Sequence, residues 1–203
     1  MRLLLIFFII LLSTSISFSE DRFSNSDGKK NEKSLSEVLK WSWSREEPKK
    51  EFIKTNENIN LNSLKDREHY ALWIGHSTFL INNGDLTILT DPIFSERASP
   101  LTFAGPKRLI KPVIKIKDLP KVDVITISHN HYDHLDVNSL RKIQKKFPNV
   151  KILVPKGDLK LLRNYNLNNG FEFLWWEAIT LNNTKFIFTP AQHWSARGLR
   201  DRN

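Results

Sequence analysis

Ser128-His129-Asn130-His131-Tyr132-Asp133-His134-Leu135-Asp136 follows without a break on the apolar run Val122–Ile127, VDVITI. A short run rich in β-branched residues reads as a buried strand. In the extended turn beyond it, side chains at i and i+2 point the same way, so His129 and His131 can share one metal ion. The next turn swings Asp133 and His134 toward a second. Zinc accepts imidazole nitrogen and carboxylate oxygen, and catalytic zinc sites keep one position open for water. Water on such a metal approaches a pKa of about 7, which makes hydroxide available at neutral pH. A single surface histidine, or one chance His-x-His pair, carries no such meaning. Four ligand-type residues in this order behind a hydrophobic strand do.

The chain on either side reads as alternating strands and helices. Asp136 is placed to cap a helix running to Phe147, with Leu140, Ile143 and Phe147 at i, i+3 and i+7. Lys151–Val154 reads as the next strand and Asp158–Tyr165 as a short helix. Upstream, Tyr70–Ile74, Phe79–Asn82 and Leu86–Thr90 are short apolar runs. Asn82-Asn83-Gly84-Asp85 makes a hairpin turn between the last two, on the strength of its Asn-Gly pair. Asp91-Pro92 ends the third strand, and residues 93–121 form a long loop containing Pro100, Pro106, Pro112 and Pro120. Loops of that length in compact domains usually carry function. Downstream, Phe171–Trp176, Ala178–Leu181 and Lys185–Thr189 are expected to form a strand meander. Together these predict an α/β layered domain. His193, in Pro190-Ala191-Gln192-His193-Trp194-Ser195, follows the last of these strands. From the same rim it could deliver a third imidazole to the first metal.

The N-terminus has a different character. Met1-Arg2, an unbroken apolar run Leu3–Leu12 and a small, mostly polar stretch to Ser19 have the layout of a secretory signal peptide cleaved after Ser19. The run is shorter than the ~20 apolar residues a membrane-spanning helix needs; an uncleaved anchor is the alternative. Residues 20–67 read as a flexible N-terminal segment. Within it, Ser34-Leu35-Ser36-Glu37 is a capping box opening a short helix through Val38, Leu39 and Trp41. The expected location is therefore outside the cytoplasm, periplasmic or secreted, with membrane association possible. With no cysteine, disulfides, thiolate metal sites and a cysteine nucleophile are excluded. A formal net charge of +9 suits either an evenly solvated surface or contact with anionic lipids and phosphorylated substrates. No dense Lys/Arg block with interleaved aromatics marks a nucleic-acid groove. Nucleophile-elbow, phosphate-loop and dinucleotide motifs are absent.

Four segments together resemble the metallo-β-lactamase fold. More narrowly, they resemble its branch containing N-acylphosphatidylethanolamine-hydrolysing phospholipase D and bacterial relatives. The segments are Trp73-Ile74-Gly75-His76-Ser77-Thr78, Leu89-Thr90-Asp91-Pro92-Ile93-Phe94, the loop His129–Asp136, and Ala191-Gln192-His193-Trp194-Ser195. The resemblance covers residues 68–203 and implies an αββα sandwich of which this is the N-terminal portion. It implies that His129, His131 and His193 bind one zinc, and that Asp133 and His134 bind a second. Asp133 would orient the nucleophile as a catalytic residue. Asp91 would hold the metal loop by hydrogen bonds, or simply form the turn before Pro92. His76 would face the cleft, or simply end a strand.

The family also carries a bridging aspartate and a last histidine, and neither is found here. The expectation is thus an incomplete domain with one or two zinc ions, the second site incomplete. The implied activity is hydrolysis of a phospholipid phosphodiester or another ester, weak or missing in this chain alone. The alternatives are a non-catalytic remnant, a half-enzyme completed by a partner chain, and a hydrolase of a lactone or amide.

Overall fold

The computed structural model describes residues 67–193 except 102, together with 27–28, 34–44, 46, 51, 55, 59, 61–65, 195 and 197. The expected signal peptide at residues 1–19 lies outside them. The chain divides into two compact units, Glu47–Thr189 on one hand and Met1–Glu46 with Pro190–Asn203 on the other. In the second, helix α1 (Leu35–Ser44) opens with a reciprocal cap. The Glu37 amide donates to Ser34 Oγ at 3.2 Å, and the Ser34 amide donates to Glu37 Oε2 at 2.7 Å. No helix among the described residues is long and apolar enough to cross a membrane.

Among its described residues, the unit Glu47–Thr189 has a short helix α2 (Asn62–Lys65) followed by a six-stranded sheet in the order β1-β2-β3-β4-β5-β6. β1 (His69–Gly75), β2 (Thr78–Asn83) and β3 (Thr87–Thr90) are antiparallel neighbours. From β3 onward the pairing is parallel, through β4 (Val124–Thr126), β5 (Lys151–Pro155) and β6 (Gly170–Phe173). The parallel connections need crossovers. Residues 93–121, with a single 3-10 turn at Ile116–Asp118, supply the first. Helices α3 (Val137–Lys146) and α4 (Asp158–Asn164) supply the others. The hairpin between β2 and β3 forms at Asn-Gly, where Gly84 takes φ 89° and its amide donates to Asn82 Oδ1 at 2.9 Å.

Alternation along the strands sorts the core into two layers. Leu80, Leu89, Ile125, Ile152 and Val154 face the helices, packing with Leu140, Ile143 and Leu162. Val124 and Leu153 face the other way. There they meet Leu86, Phe173, Ile179, Leu181 and Phe186. Those last three come from β7 (Ala178–Leu181) and β8 (Thr184–Ile187), an antiparallel pair forming a second sheet. The fold is thus α/β, with helices on one face of the main sheet and a small sheet on the other.

One expectation fails here. Phe171–Trp176 does not lead a meander with the two strands that follow. Its N-terminal part is β6, which joins the main sheet parallel to β5. Gly170 lets α4 pack closely on the start of this strand, because a Cβ there would meet Leu159 Cδ1 at 2.7 Å and Leu162 Cδ1 at 2.9 Å. The strand stops at Phe173 because the Leu174 amide donates to Glu177 Oε2 at 2.7 Å, closing a turn in which Trp176 has φ 70°.

Candidate metal centre

β1, β3 and β4 run in one direction, so their C-terminal ends share one edge of the sheet. Open α/β sheets gather ligand-binding groups at such an edge. Gly75-His76 leaves β1 there, Asp91 leaves β3, and Ser128–His134 leaves β4. The backbone tightens the assembly. The Asp91 amide donates to Thr126 O at 2.8 Å, and Thr78 Oγ1 donates to Asp91 O at 2.7 Å. Behind the loop, the amides of His134 and Leu135 both donate to His131 O, at 3.0 and 2.8 Å. Leu135 is fully buried and pins this turn to the core. Asp136 then caps α3, accepting from the Asn138 amide at 3.1 Å.

His76, Asp133 and His134 converge. Their ligand atoms all lie within 4.8 Å of one another. His76 Nε2 is 3.1 Å from Asp133 Oδ2, and His134 Nε2 is 3.7 Å from the same oxygen. The group opens to solvent on one side: the side chains of His76 and Asp133 are 46% and 41% exposed, that of His134 only 16%. The hydrogen bond with His76 holds the Asp133 carboxyl well below the usual carboxylate range. The same bond raises His76 above the ordinary histidine value, against the opposing effect of burial.

His129 and His131 pack beside this group. Their ring centroids lie 4.6 Å apart, with His129 Nε2 and His131 Nδ1 at 2.9 Å. His129 also lies 4.0 Å from the His134 ring. Imidazole nitrogens brought this close must share a proton or a cation, because two lone pairs facing each other repel. The donor set, histidine nitrogens with one carboxylate and no sulfur, suits zinc and other first-row divalent metals.

Asp91 organises the loop from below. It is buried and its Oδ1 accepts from the Ser128 amide at 2.7 Å. Its Oδ2 accepts from Ser128 Oγ at 2.8 Å and pairs with His134 Nδ1 at 2.9 Å. A carboxylate behind a histidine fixes the tautomer and turns the other ring nitrogen outward, the usual support for a metal ligand. His193 belongs to the unit that contains Pro190–Asn203; its amide donates to Ala191 O at 3.0 Å.

Two contributors lay beyond the sequence reading. Ser128 neighbours the motif, but its importance depends on Asp91, 37 residues away. Asn130, between the two histidines, donates from Nδ2 to the buried Asp158 Oδ1 at 2.9 Å, tethering the loop to the first turn of α4. No local signal marks either contact.

Residues 87–203 match the family described as "Beta-lactamase superfamily domain". The chain is 39% identical over 143 residues to N-acyl-phosphatidylethanolamine-hydrolyzing phospholipase D 1 of Caenorhabditis elegans, covering 66% of this chain and 40% of that protein. It is 40% identical over 139 residues to a mitochondrial protein of the same designation from Saccharomyces cerevisiae, covering 66% of this chain and 29% of that one. A metal-dependent hydrolase of Aeropyrum pernix is 33% identical over 81 residues, 40% of this chain and 27% of that protein. The chain thus spans well under half the length of each of these relatives.

Proposed function

Because this chain belongs to the β-lactamase superfamily, we propose that it is a zinc-dependent hydrolase whose substrate is the phosphodiester of an N-acylated phospholipid. The observation that carries the reading is the convergence of His76, Asp133 and His134 beside the His129–His131 pair. The substrate class is supported by two relatives whose names specify hydrolysis of N-acyl-phosphatidylethanolamine. The net charge of +9 agrees with an anionic substrate or an anionic lipid surface.

His129 and His131 would hold one metal, with His193 proposed from its sequence position as the third ligand. Asp133 and His134 would hold a second, and His76 adds a further nitrogen to that group. Bound zinc supplies Lewis acidity, which polarises a phosphoryl oxygen and acidifies water. The chain's own part is to hold and orient. Asp91 keeps the Nδ1 proton on His134 and turns Nε2 toward Asp133. Asp133, held ionised, is an acceptor for a proton of the attacking water and so can aim its lone pair at phosphorus. His76 Nε2, 3.1 Å from Asp133 Oδ2, restrains that carboxylate.

The test is headgroup release from N-acylphosphatidylethanolamine in mixed micelles by the full chain with zinc. Lactone and amide substrates are run in parallel. Metal-dependent release, lost with a chelator and in His129→Ala, is expected. Turnover of only the lactone or amide would overturn the substrate assignment, and no turnover of any would overturn the enzymatic one. His193→Ala is expected to weaken zinc binding; unchanged binding would remove His193 from the ligand set.

A further inference from the structure

We propose that Ser128 is a positioning residue that passes the Asp91 carboxylate's influence to His129, so that one buried acid sets the tautomers of two histidines. Counting the available protons fixes both tautomers. A hydroxyl has one hydrogen to donate, and an ionised carboxylate can only accept. Ser128 Oγ lies 2.8 Å from Asp91 Oδ2, so its hydrogen goes there. Ser128 Oγ also lies 2.9 Å from His129 Nδ1. With its hydrogen already committed, the oxygen can only accept from that nitrogen. His129 therefore carries its proton on Nδ1 and presents a lone pair on Nε2, which points at His131 Nδ1 across 2.9 Å.

The same count applies to His134. Its Nδ1 lies 2.9 Å from Asp91 Oδ2 and 3.3 Å from Ser128 Oγ, and both are acceptors toward it. His134 is thus also the Nδ1-protonated form. Asp91 acts on His134 directly and on His129 through the serine. The backbone is bent to achieve this. Asp91 has φ 36°, a left-handed conformation that is strained in a non-glycine residue. That turn brings both carboxylate oxygens beneath the loop, one on the Ser128 amide and one on its hydroxyl.

Removing the hydroxyl alone leaves the rest in place. In Ser128→Ala the Ser128 amide still donates to Asp91 Oδ1, and His134 keeps its carboxylate. His134 Nδ1 keeps Asp91 Oδ2, the nearer of its two acceptors, whereas His129 Nδ1 loses the Ser128 oxygen, and its proton then shifts toward Nε2, the nitrogen meant for a metal. The tautomer assignment stands on the hydrogen bonds; its consequence for zinc rests on the metal-centre reading above.

The experiment is nitrogen-detected NMR of the histidine rings in the metal-free, full chain labelled with ¹⁵N-histidine. It is run at about pH 8, above the ordinary histidine range. Wild type, Ser128→Ala and Ser128→Thr are compared. Zinc affinity is measured on the same samples by competition with a chromophoric chelator. Wild type and Ser128→Thr should show His129 protonated on Nδ1. Ser128→Ala should show a shift toward Nε2 at His129 with His134 unchanged, and a zinc affinity lower by about 10- to 100-fold, the usual effect of losing such support. An unchanged His129 tautomer in Ser128→Ala would overturn the proposal. A changed tautomer with no zinc binding in any variant would leave the proposal standing and reject the metal-centre reading.

Discussion

His76 and Asp91 both adopt positive φ, 52° and 36°, although neither is glycine. Each stands just past the end of a strand, and each delivers a side chain to the group around His134. Strain of this kind collects at sites that the surrounding structure over-determines. Replacing Asp91 by Ala would leave the His134 ring nitrogen and both Ser128 donors without their acceptor. The expected loss is about 1–3 kcal/mol in denaturant unfolding, together with weaker zinc binding in a chelator competition. The His76–Asp133 pair predicts a pH dependence. A histidine raised in the folded state stabilises it below its unfolded value of 6.5, and that contribution fades as pH rises through the folded value. A carboxyl lowered in the folded state stabilises it above 3.8, and that contribution fades as pH falls through its folded value. The two overlap between about pH 4 and 6.5. Because both side chains are more than a third exposed, the effect is modest, below about 1 kcal/mol. The difference in thermal midpoint between metal-free wild type and His76→Ala should peak in that window and shrink by pH 8. A difference that grows toward pH 8 would reject the pairing. At this scale the ligand-type residues were legible, because their order on a strand end is unusual. Asp91 and His76 were named as supports only through the resemblance, each with a plainer reading beside it. The Ser128 and Asn130 contacts were not legible, because they form only after separate elements have been laid side by side.

Between the loop and the core stands α3. Its cap does more than satisfy one amide. Asp136 Oδ1 accepts from Asn138, while Oδ2 accepts from the Ser95 amide at 3.1 Å and from the Ser139 hydroxyl. One buried carboxylate thus ties the start of the helix to the long loop 93–121. Asp136→Ala should cost more than the ~1 kcal/mol of an ordinary cap, approaching 2 kcal/mol or above. Asp136→Asn should recover part of this, as read from urea midpoints. Leu140 is completely buried, and Leu140→Ala should cost about 2–5 kcal/mol without changing the histidine geometry. A drop in stability with zinc affinity preserved would separate the scaffold from the site. The elements were largely legible. The helix at Val137–Lys146 and the hairpin at Asn-Gly followed from periodicity and turn chemistry. β6 was not placed correctly. An apolar run such as Phe171–Trp176 suits a parallel partner as well as an antiparallel one, and the pairing with β5 follows from the crossover through α4 rather than from the run itself.

Across the whole molecule, a ligand that binds only the folded state stabilises it in proportion to its excess over Kd. If the histidine and aspartate groups are a metal site, zinc at about a hundred times Kd should raise stability by about 2.7 kcal/mol. For a chain of this size that is a rise in Tm of roughly 5–10 °C. A chelator should reverse it, and the His129→Ala chain should show little of it. The fold class was legible at this scale from strands and helices alternating around one motif, and the family match over residues 87–203 agrees. The division at Glu47 and Pro190 was not, since no composition break marks either position. The most direct measurement is the zinc content of the purified full chain after equilibration with zinc and removal of excess. It should be compared with His129→Ala and His134→Ala. At least about one zinc per wild-type chain, falling in both variants, is the predicted result. Wild type holding no more zinc than the variants would contradict a metal centre at this sheet edge.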